Sequence, residues 1–152
     1  VPGLEVKGLQ NYGKILKEKM IYVTRSHHLK IPLNRYVICL EHQFQEKSLS
    51  WDELKWVELP ILLLYWSLAG VLPLKVGQHC YCSGYFLTSG RVISMPLGHR
   101  LVDILSSREG RSSWIGQQCN THYGEYFIDL DPLLASVGMG IHQMDRVLAN
   151  SV

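Results

Sequence analysis

The chain has 152 residues, 47% of them hydrophobic and 18% charged, with no low-complexity tract and no long charge run. That excludes a disordered polymer and gives enough length to bury a core without disulfides. The net charge of +2 is too small to argue for nucleic acid by itself, although it divides into a basic N-terminal third and an acidic C-terminal quarter. A chain that starts at Val1 without methionine is expected to be a segment of a longer protein, folded as a single domain over residues 1–152.

Residues 1–8 read as an extended lead-in, broken by Pro2 and Gly3. Tyr12, Ile15, Leu16, Met20 and Val23 then recur at helical spacing, with Lys14, Lys17, Glu18 and Lys19 mostly off that stripe. The pattern predicts an amphipathic helix that frays between Ser26 and Lys30, ahead of Pro32. The adjacent His27 and His28 are expected to face solvent. Asn34 is a usable N-cap for a second helix expected to reach Glu46, with Leu33, Val37, Leu40 and Phe44 as its stripe and Cys39 buried inside it.

Ser50–Gly70 carries the strongest local signals in the chain. Ser50 and Glu53 form a capping box, and Leu49 and Leu54 form its hydrophobic staple. After Pro60 the residues are apolar all round, which predicts a helix enclosed by other elements, kinked at the proline and stopped by Gly70. The uncharged run from Leu59 to Pro73 is shorter than the roughly 20 residues a bilayer span needs, so no membrane partner is expected. A helical unit over about 9–70 is therefore expected to precede a mixed β/α part over 71–152.

In that second part Val71–Gly77 and His79–Thr88 read as strands, and Tyr85–Thr88 with Arg91–Met95 as a hairpin turned by Ser89-Gly90. Leu101–Leu105 suits a short helix, and Trp114–Gln118 and Glu125–Leu130 suit strands. Asp131-Pro132 is expected to cap a helix that closes at Gly138, and Ile141, Met144, Val147 and Leu148 mark a last helix. The fold class is α+β: an N-terminal helical unit around a kinked central helix, followed by a small, mostly antiparallel sheet with short helices.

Chemistry concentrates in the cysteines and histidines of the second part. On an extended segment Cys80 and Cys82 share a face, and with Cys119 and His122 they compose a three-sulfur, one-nitrogen set suited to zinc, with His79 as an alternate ligand. The Cys-x-Cys spacing is tighter than in most structural zinc sites, so a pair of buried thiols and an ordinary histidine remains the alternative. The His-x-Glu and Pro-Cys-x-x-Cys signature of zinc deaminases is absent. Cys119 beside His122 or His79 has the groups of a hydrolase nucleophile pair but no nucleophile-turn motif around it. Arg91, Arg100, Arg108 and Arg111, with Trp114 close by, form a sparse basic patch, the basis of a second reading as a zinc-stabilised nucleic-acid-binding module. Trp51, in the first turn of the central helix, is the aromatic expected to contact a partner, together with a Lys14, Lys17 and Lys19 face.

The long words LEVKGLQNYGKILKEKMIYVT, LKWVELPILLLYW, HCYCSGYFLTSGR and GRSSWIGQQC together resemble the C-terminal part of the foamy virus Bet accessory proteins, the part not shared with the viral transactivator. The resemblance covers most of the chain. It implies an accessory protein without catalysis, present in host cytoplasm and nucleus, that binds and sequesters host cytidine deaminases of the APOBEC family. It assigns no individual contact residue, and it carries over no DNA binding, which resides in the shared N-terminal part.

Overall fold

The computed structural model describes residues 3–41, 49–74, 79–95, 112–116 and 127–137. They form a mixed helix and strand fold, as the α+β expectation has it, but the arrangement differs from that expectation in two places.

The first departure is at the N-terminus. The lead-in is strand β1 (Gly3–Lys7), followed by helix α1 (Gln10–Ser26) and strand β2 (Arg35–Cys39). β1 and β2 pair in parallel, with α1 as the crossover that parallel pairing requires. The helix expected over 34–46 is thus a strand in its first part, and residues 42–48 lie outside the described ones. The reason is visible in the side chains. Tyr36 and Ile38 are buried while Arg35, Val37 and Cys39 are exposed, a period of two. A helical stripe needs Leu33 and Val37 inside, yet they are 86% and 41% exposed. Pro32 just upstream favours extended backbone, and the β-branched and aromatic Tyr-Val-Ile run suits a pleated surface. Cys39 is exposed as a consequence, not buried as expected.

The central stretch follows its sequence signals closely. Ser50 Oγ accepts from the Glu53 amide and the Glu53 carboxylate accepts from the Ser50 amide, so the capping box is complete. Helix α2 (Trp51–Leu54) tightens into a 3-10 turn at Lys55–Val57 before helix α3 (Glu58–Leu68). Pro60 explains the break: it has no N–H to offer the Trp56 carbonyl, which instead accepts a 3.2 Å bond from the Ser83 hydroxyl. At the far end Gly70 adopts φ +71°, donating to Ser67 O while the Val71 amide donates to Trp66 O, a complete Schellman closure. Residues 71–74 therefore follow the closed helix as irregular chain and are not a strand, and 75–77 lie outside the described residues. Leu59, Leu62 and Trp66 of α3 are fully enclosed, each apolar side chain stabilising the fold by about 1.5–3 kcal/mol.

The second departure concerns the sheets. Strand β3 (His79–Cys82) pairs in parallel with β6 (Ser112–Gly116), which pairs in parallel with β7 (Phe127–Asp129). Only β4 (Gly84–Phe86) and β5 (Val92–Ser94) form an antiparallel pair, the expected hairpin. The second part is thus mostly parallel, not mostly antiparallel. Gly90 in the hairpin turn has φ +85° and lies against the His27 ring, where a Cβ would overlap it. Helix α4 (Leu130–Ala135) is capped by Asp129, whose Oδ1 accepts from the Asp131 amide, so the cap sits two residues before the expected one. The expected helices over 101–105 and 141–148 fall outside the described residues. No helix among the described residues is long and apolar enough to cross a membrane.

One core joins these elements, from Leu4 and Ile38 of the first strand pair through α1 and α3 to Ile115, Leu130 and Leu134.

Candidate functional site

The expected contact face lies where α1 meets the start of α2. Trp51 is 62% exposed and meets the buried Tyr12 ring edge-on at 5.8 Å. Its backbone is held by the capping box, so a large aromatic is presented on a fixed helical turn. Lys14 is exposed on α1, as is Ile15, and Lys17 is half-buried with Glu18 3.7 Å away.

Lys19 does not belong to that surface. Its ammonium lies 2.6 Å from Glu58 Oε2 and 4.6 Å from the centre of the Phe86 ring. Glu58 is buried at the first turn of α3, and the Tyr12 hydroxyl donates to its other oxygen at 2.5 Å. Burial, then that carboxylate, pushes the Tyr12 hydroxyl well above the usual tyrosine range, so it stays protonated and donates. Lys19 thus ties α1 to α3 and the β4 hairpin. The sequence holds the signal for this: Lys19 follows Tyr12 by two helical turns and therefore lies on the buried stripe, not beside it. A second buried link runs parallel to it. Thr24 Oγ1 donates to Met20 O and accepts from Trp66 Nε1 at 3.0 Å.

His27 also departs from expectation. It is half-buried, and its Nε2 has no hydrogen-bond partner among the described residues. Burial, and then the neighbouring His28, lowers its pKa below the ordinary value of 6.5.

Of the cysteine and histidine set, Cys80 and Cys82 lie on β3, two residues apart and thus on one face as expected. Cys80 is exposed; Cys82 is partly buried, and burial with the adjacent Cys80 pushes its thiol up to about 12. It is a protonated thiol at neutral pH unless a cation sits beside it. Cys119 and His122 lie outside the described residues, as do Arg100, Arg108 and Arg111; the backbone of His79 heads β3. Among the described residues no three His, Cys, Asp or Glu side chains converge on one point.

The chain matches no protein-family model, no curated protein and no solved structure.

Proposed function

We propose that the chain is a non-catalytic protein-binding module of the Bet type, which captures host APOBEC-family cytidine deaminases in the cytoplasm and nucleus of the host cell and so blocks their antiviral action. The observation that supports a binding surface is Trp51: a large aromatic left 62% exposed on a turn closed by a capping box, with the exposed cation of Lys14 on the neighbouring helix. Aromatic side chains so placed are the residues that most often dominate binding energy at interfaces. Lys19 is withdrawn from the expected contact set because its charge is committed to Glu58.

The test is capture of purified deaminases by the wild-type chain, Trp51→Ala and Lys14→Glu, with thermal melts as a folding control. A hot-spot residue costs ~2 kcal/mol or more on truncation, so Trp51→Ala is expected to weaken capture about thirtyfold or more while the fold is retained. Capture that is unchanged in both variants removes this face from the proposal, and a wild-type chain that captures no deaminase removes the proposal itself.

A further inference from the structure

A cleft of about 300 Å³ opens between the end of α1, the start of the β1–β2 pair and the loop of residues 29–34. Leu4, Ile21, Leu29 and Ile31 give its walls an apolar part, and Thr24 and Asn34 line it as well. Arg25 is the one charged residue in that lining, and the Tyr36 and Tyr65 rings, in edge-on contact at 5.3 Å, complete it. Neither the Arg25 guanidinium nor the Tyr65 hydroxyl has a partner among the described residues. The Tyr36 hydroxyl makes one long bond, 3.4 Å to Pro32 O.

A cleft with an apolar part, a few polar groups in its lining and a volume at the lower end of the range for small-molecule pockets has the makings of a ligand site. It holds roughly ten times the ~30 Å³ that one water molecule takes in the liquid, enough for a compact organic acid. The polarity also selects. Burial, with the Tyr36 hydroxyl as neighbour, raises the Tyr65 pKa and keeps that hydroxyl a donor. A guanidinium and a protonated phenol favour an anion, and the planar fork of arginine fits a carboxylate. Arg25 also suits the C-terminal end of α1, where a cation is favoured, but that role needs no hydrogen bond from its guanidinium, which has no partner among the described residues.

We propose that this cleft binds a small apolar carboxylic acid, its hydrocarbon part against Leu4, Ile21, Leu29 and Ile31 and its carboxylate on Arg25 with the Tyr65 hydroxyl beside it. The site is separate from the Trp51 face and stands or falls independently of deaminase binding.

The test is an NMR titration of the isotopically labelled chain with 3-phenylpropionate, against 3-phenylpropanol and 3-phenylpropylammonium as probes of the same shape. The carboxylate is expected to shift the amides of Leu4, Thr24, Leu29 and Ile31 and to bind about tenfold more tightly than the alcohol, the worth of one charge-assisted hydrogen bond. Arg25→Gln, a change at an exposed position, is expected to abolish that preference, and Tyr65→Phe to reduce it without unfolding the chain. Equal binding of all three probes, stronger binding of the ammonium, or shifts confined to other residues overturns the proposal. So does binding of an acetylated Phe-Asp peptide amide without binding of the free acid, which assigns the cleft to a protein partner.

Discussion

Lys19 and Glu58 are paired, but removing one is not equivalent to removing the other. The Glu58 side chain is 6% exposed and that of Lys19 21% exposed, on a long stem that reaches solvent. Lys19→Met keeps the stem packing but leaves a buried carboxylate with the Tyr12 hydroxyl as its remaining donor among the described residues. Breaking a buried ion pair from one side costs about 3–5 kcal/mol, and the surviving Tyr12 bond holds the loss near the lower end of that range. Glu58→Leu instead frees an ammonium that can swing into water and orphans one phenol, a loss of about 1–3 kcal/mol that the buried leucine partly offsets. The lysine variant is therefore expected to be the less stable by ~1–2 kcal/mol, or roughly 2–8 °C in melting temperature for a domain of this size. Urea unfolding followed by tryptophan fluorescence measures the difference. Glu58→Leu costing as much as Lys19→Met or more would refute the claim that the stranded carboxylate sets the energetics. The triple variant Tyr12→Phe, Lys19→Met, Glu58→Leu is expected to recover most of the loss, since an apolar replacement leaves no buried charge.

Thr24→Val keeps shape but takes the acceptor from Trp66 Nε1, and an unpaired buried N–H is expected to lower stability by about 1–3 kcal/mol; Thr24→Ser, which retains the oxygen, should lose less in the same urea titration. His27 has its folded pKa depressed below 6.5, so on acidification the unfolded chain takes up its proton first. Stability is expected to fall as pH drops from about 6.5 toward that lower folded value and then to level, and His27→Gln should flatten this step; an unchanged slope in the variant would assign the pH dependence to other groups.

The elements that sequence determined by itself are those whose physics is local. The Ser50 and Glu53 box, the Gly70 stop and the turn at Gly90 each depend on a few adjacent residues, and each forms where those residues stand. The apolar stripe of α1 follows in the same way from the helical period. Tertiary structure decided the rest, because those choices depend on partners distant in the chain. RYVIC suits extended backbone locally, but it becomes a paired strand only when β1 supplies a parallel neighbour and the core takes up Tyr36 and Ile38. Whether the strands of the second part run parallel depends on the order in which they come together, which alternation within one strand does not encode. Lys19 shows the boundary most directly. Its place on the buried stripe is written in the spacing from Tyr12, but its partner lies 39 residues away, and only packing of α1 on α3 turns a half-buried lysine from a cost into a link. The cleft beside Arg25 is likewise made by four segments meeting, and no one of them carries its signature.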